Sequence, residues 1–165
     1  MNFSLNNIQP HRHRRALRDE RGVAIVEFAL VLPILALILF GVLDFGKAYN
    51  YWISETHLAS EGARYAAVDQ NPDPAKGPNF LAAVRDQADT TELRAGNTAS
   101  VPDPLQVCVS FPSGTHKVGD PVRVQVSTTY QFMSLFGAGL SKTVVAASTM
   151  RLERVPTNYA DGDCA

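Results

Sequence analysis

Between Gly22 and Leu43 the chain carries one ionisable side chain, Glu27, in the run GVAIVEFALVLPILALILFGVL. A lone carboxylate in hydrocarbon costs about 2–3 kcal/mol, less near the headgroups. Such a group either snorkels to the interface or takes a cationic partner. The other residues able to do chemistry are scattered. His11 and His13 have no third metal ligand nearby, and His57 and His116 fall in different predicted elements. Glu55, His57 and Glu61 lie at i, i+2 and i+6 of a helix, so they do not converge on one face. Asp161 and Asp163 read as a solvated tail. There is no GxSxG, HExxH, Walker loop or GxGxxG, no CxxC and no zinc spacing. Neither an enzyme nor a cofactor is expected. Cys108 and Cys164 allow a disulfide if both sit in an oxidising compartment, worth about 4 kcal/mol in the loop-entropy account. Two free buried thiols are the other reading.

The element that carries Glu27 decides the rest. A helix rises about 1.5 Å per residue and a bilayer core is about 30 Å thick, so residues 23–43 suffice to cross a membrane. Five arginines, Arg12, Arg14, Arg15, Arg18 and Arg21, precede the run. Basic flanks stay in the cytoplasm. The expected layout is a basic cytoplasmic leader over 1–22, a transmembrane helix over 23–43, an exterior extension of that helix over 44–70, and an exterior α+β domain over 71–165. The formal net charge of the 165 residues is −1, so no overall field recruits nucleic acid.

Beyond the span, 44–68 holds no proline, and a helix continuous from Val23 to Val68 would be about 70 Å long. Trp52, Thr56, Ala59, Ala63 and Ala66 form a stripe of mostly small residues at helical spacing, expected to pack on the chain's own sheet. Asp44–Lys47 and Glu61–Arg64 are i,i+3 pairs. Tyr49, Tyr51 and Trp52 suit the headgroup boundary. Pro33 either kinks the span or marks a weak point in it. The cluster Asn71–Pro78 breaks the helix, and one short helix is predicted over Asn79–Leu93, stopping at 94–97. From Pro104 the period changes to two. Strands are predicted over Leu105–Phe111, Pro121–Tyr130 and Lys142–Val155. Phe132–Leu140 is apolar and glycine-rich, either a loop under the sheet or a contact patch. The fold class is therefore α+β: a long N-terminal helix on a small antiparallel sheet of about three strands, plus one short helix.

Gly22, the four apolar residues Val23–Val26, Glu27 and Phe28 resemble the prepilin-peptidase site of type IV pilin-like proteins. The wider string from Glu20 to Val68, with Pro33, the Gly41–Gly46 segment and Glu61-Gly62-Ala63-Arg64 in order, resembles the TadE-like family of pilus-assembly proteins. That resemblance implies a structural, pilin-like component (a pseudopilin) of a Tad-type tight-adherence pilus and secretion machine, supporting cell adhesion. It would sit in the bacterial cytoplasmic membrane with its C-terminal domain outside. It implies cleavage between Gly22 and Val23 by a prepilin peptidase, and an assembly role for Glu27 and Phe28. The implied partners are membrane lipid, other pilin-like subunits, Tad assembly proteins and the peptidase. Major pilins of these systems usually carry Tyr where this chain has Phe28, which points to a minor component. Cleavage would create an ammonium at Val23, one helical turn before Glu27 and able to pair with it. The competing reading is an uncleaved single-pass envelope protein whose exterior domain binds a partner or ligand.

Overall fold

The computed structural model describes residues 16–133 and 139–165. Most of the basic leader, 1–15, and the centre of the apolar segment, 134–138, lie outside the described residues. The elements are α1 (Ala16–Ala67), a 3₁₀ turn (Pro74–Lys76), α2 (Leu81–Asp86), α3 (Thr91–Ala95), β1 (Gln106–Ser110), β2 (Pro121–Gln131) and β3 (Ser141–Arg151). The architecture is α+β: one long apolar helix, a few short helices and one antiparallel sheet in the order β1-β2-β3.

The chain divides into two units, 1–41 and 42–165. In the first, α1 runs unbroken through Pro33. Every large apolar side chain from Val23 to Phe40 is exposed. Such a helix, apolar all round, needs lipid or protein around it. Among the described residues it is the one helix long and apolar enough to cross a membrane, which suggests membrane anchoring.

The second unit has its own core. Alternation on β2 turns Val122, Val124, Val126, Thr128 and Tyr130 to one face, all buried. Val126 pairs with Val107 on one side and Ala146 on the other, so the three strands share that inner face. The turns of α1 beyond Gly41 cover it, as the sequence leads one to expect, with Ala59, Ala63 and Ala66 of the expected stripe but not its first two members. Trp52 is 45 % exposed and Thr56 is exposed, whereas Tyr51, Glu55 and Leu58 are buried with Ala59, Ala63 and Ala66. The helix is turned so that Tyr51 meets Tyr130 edge-on, ring centroids 5.7 Å apart. Tyr51 is thus a core residue and not part of an interfacial belt. Tyr49 and Trp52 remain exposed, 5.7 Å apart. At Gly62 α1 packs tightly on β2: a Cβ there would stand 3.0 Å from Val124 Cγ1, so that side chain would have to shift.

Three further expectations need correction. The single helix over Asn79–Leu93 is two, because Thr90 adopts an extended backbone and its hydroxyl accepts from Leu93 N–H at 3.2 Å, capping a new helix. The expected i,i+3 pairs give way to other partners: Asp44 bonds β2 and the loop after it, Lys47 pairs with Glu92, and Glu61 accepts from Tyr65 Oη one helical turn on. The third strand stops at Arg151 rather than Val155, because the following residues turn to cap α1. Ala67 O accepts from Glu153 N–H at 2.7 Å, and Ala66 O from the Tyr159 hydroxyl at 2.6 Å. Asp69, at φ 51°, completes this closure by accepting from Thr157 and Asn158. Burial opposes ionisation of Asp69, but those bonds prevail and hold its carboxyl below the usual range. Of the apolar segment, Phe132 packs edge-on against Tyr130, and its N–H donates to Leu140 O at 2.8 Å, while Met133 and Leu140 are exposed.

Gly96 closes α3 at φ +63°, and a Cβ there would lie 2.5 Å from Pro104 N and 2.6 Å from Asp103 C. Both neighbours are backbone and cannot swing aside. Gly96→Ala should therefore lose about 2–3 kcal/mol of domain stability. A urea titration of the full chain in mild detergent measures it; an unchanged midpoint would contradict the close approach.

Candidate functional site

The residues singled out in the N-terminal part of α1 lie where backbone geometry puts them. Gly22 and Val23 are helical, and a Cβ at Gly22 would meet nothing within 4 Å. Val23 and Glu27 are one turn apart, on one side of the helix. Val23, Glu27 and Phe28 are all exposed.

In the second unit, polar side chains gather at the first turns of its helix. Asp44 accepts the Tyr130 hydroxyl on one oxygen and Met133 N–H on the other, the latter at 2.6 Å. One turn on, Lys47 Nζ lies 2.8 Å from Glu92 Oε2, and the Tyr51 hydroxyl donates to the same oxygen. The Lys47 and Tyr51 bonds hold the Glu92 carboxyl below its usual range. Burial first, and the adjoining carboxylates second, push the phenols of Tyr51 and Tyr130 far above theirs. Both phenols therefore stay protonated at physiological pH. The arrangement is a clasp of α1 to β2 and α3, with no group poised to exchange protons.

Deeper in the same core lies Glu55, 0 % exposed, with no hydrogen-bond partner among the described residues for either carboxylate oxygen. Burial pushes its carboxyl up to about 8, so at neutral pH it is mainly the uncharged acid. Thr128, buried on β2 one same-face position from Tyr130, likewise has an unpartnered hydroxyl. Taking Glu55 only with His57 and Glu61, as groups that do not converge on one face, missed this. The signal was present: Tyr51, Leu58 and Ala59 stand at i−4, i+3 and i+4 from Glu55, which places the carboxylate within an apolar stripe.

Cys108 and Cys164 form a disulfide, Cα atoms 4.1 Å apart, and the two residues make an isolated antiparallel bridge. Around it the tail runs along the outer edge of β1. Val107 exchanges both backbone bonds with Ala165 at 2.9 Å, and Val109 N–H donates to Asp163 O at 2.9 Å. Among the described residues, no group of three His, Cys, Asp or Glu side chains converges to hold a metal.

Residues 22–64 match the family model of TadE-like proteins. Comparison with curated proteins and with solved structures gives no match. The TadE-like match suggests a component associated with a Tad pilus.

Proposed function

We propose that this TadE-like chain is a pilin-like structural part of a Tad-type pilus assembly and secretion machine, working in adherence through assembly rather than catalysis. In this reading 1–22 is a cytoplasmic leader, 23–43 spans the bacterial cytoplasmic membrane, and 44–165 lies on the far side. A prepilin peptidase cuts between Gly22 and Val23, and Glu27 and Phe28 then serve contacts with other pilin-like subunits and Tad assembly proteins. The observation that carries the reading is a coincidence of position. The family match begins at Gly22, the residue after which the cut would fall, and Glu27 stands exposed one turn beyond it.

The physical roles follow. Gly22 has no side chain to obstruct a peptidase cleft at the membrane face. Removing the arginines takes away the charge that holds the leader inside. A new ammonium at Val23 offsets the cost of keeping Glu27 in an apolar setting, within one chain or between two. N-terminal sequencing of the membrane-extracted protein tests the proposal. The mature chain should start at Val23, and Gly22→Leu should retain the leader. A chain still carrying residues 1–22 in cells with an active prepilin peptidase would overturn it.

A further inference from the structure

The two edges of the sheet are treated differently. On β1, Val107 and Val109 turn their backbone groups to the C-terminal tail. In an antiparallel ladder the direction alternates residue by residue. Gln106, Cys108 and Ser110 therefore bond Ser127, Gln125 and Arg123 of β2, and the even-numbered residues of β2 bond the even-numbered residues of β3. The N–H and C=O groups of Thr143, Val145, Ala147 and Thr149 consequently point away from the sheet. Among the described residues no backbone or side-chain hydrogen bond reaches them. β3 is eleven residues long, without proline or glycine, and rich in Val, Thr and Ala. Such an edge is a template for another strand.

The charge around this edge says what kind. β3 carries Lys142 and Arg151, both exposed, and no acid. Arg123, opposite Thr149 on the neighbouring strand, is exposed on the same outer face as Arg151. A second copy pairing antiparallel about Ala146 would set Lys142 of one opposite Met150 of the other, with Arg151 the next residue along on the other face, so that two cations gather at each end of the seam with no acid of β3 to offset them. A strand with acidic ends meets cations at both. Below the edge, a cavity of about 530 Å³ between β3 and the last turns of α1, lined by Glu61, Arg64, Tyr65, Met150 and Glu153, has room for an inward side chain of the added strand.

We infer that the open edge of β3 is a docking site for an extended strand, with acidic ends, from a different protein, which extends the sheet to a fourth strand. The test uses the full chain in detergent micelles at low salt and two fluorescent peptides. Each has a core of alternating Thr and Val; one is flanked by pairs of Asp, the other by pairs of Lys. Anisotropy should show the Asp-flanked peptide binding about tenfold more tightly, from charge pairs at both ends. Ala147→Pro deletes an outward N–H while sparing the ladder and should abolish binding. Arg151→Glu, which leaves every backbone group in place, should narrow or reverse the preference between peptides. Equal affinity for the two peptides, binding of neither, or binding undisturbed by Ala147→Pro in a variant that retains its near-ultraviolet dichroism would overturn the inference. So would a wild-type dimer that Ala147→Pro dissociates, since the occupant would then be a second copy.

Discussion

Glu55→Gln is expected to make the unit over 42–165 more stable at neutral pH and to leave it unchanged in acid. Glu55 is fully buried, has no hydrogen-bond partner among the described residues, and burial pushes its carboxyl from the usual 4.5 up to about 8. The folded state therefore holds a proton that the unfolded chain releases between those two values. With the folded value raised, the contribution is whole below about pH 4.5 and drains away as pH rises towards 8. Each unit in that window is worth about 1.4 kcal/mol, so wild type forfeits about 3 kcal/mol by pH 7 relative to a neutral side chain. Glutamine has the shape of the protonated acid and cannot ionise. Urea titrations of both full chains in detergent, at several values from pH 4 to 8, measure the difference, in which Asp69, Glu92 and Asp120 cancel as common groups. The two curves should coincide near pH 4.5 and part steadily above it. Parallel curves would mean that Glu55 is ionised in the fold. The persistence of so costly a group in a core of valine, alanine and tyrosine is an instance of local conflict in an otherwise consistent fold.

The second large effect is expected from removing both sulfurs. The disulfide closes a loop across 56 positions, for which the loop-entropy account gives about 4 kcal/mol. Cys108→Ser with Cys164→Ser should shift the urea midpoint by that order. It should also act locally, because the tail alone bonds the outer groups of Val107 and Val109. Amide exchange at Val107 and Val109 should accelerate well before that of Val124 and Val126, which lie inside the sheet. Exchange rising uniformly across all four would show that the tail stays docked without its crosslink. Once the tail frees β1, the sheet has two open edges instead of one, and the double variant should aggregate more readily than wild type.

Much of this architecture was legible from local pattern. Uninterrupted apolar composition marks the helix from Val23 to Leu43, because no other element can satisfy its backbone in lipid. Alternation at Val122, Val124 and Val126 marks a half-buried strand, because side chains reverse face at each residue. The motif at Gly22–Phe28 and its resemblance were also visible, since they depend on adjacent residues alone. The chain by itself thus determined the long helix and the three strands, though α1 already begins at Ala16, inside the expected leader, and the single helix expected over Asn79–Leu93 is two.

What only the tertiary structure decided is which side of each element meets another. Ala59, Ala63 and Ala66 continue upstream as well through Trp52 and Thr56 as through Tyr51, Glu55 and Leu58, two sets about a hundred degrees apart, and periodicity accepts both. The fold takes the set with Tyr51, which meets Tyr130, seventy-nine residues further on, edge-on, while the Tyr130 hydroxyl donates to Asp44. That rotation buried Glu55 and exposed Trp52. Thr90 split a helix by capping, and the turn after Arg151 shortened a strand by sending its amides to the end of α1. The tail on β1 and the bare edge of β3 likewise depend on pairings between residues far apart in sequence. Period and composition report the backbone's nearest neighbours; contacts across the sheet choose among the faces that they leave equivalent.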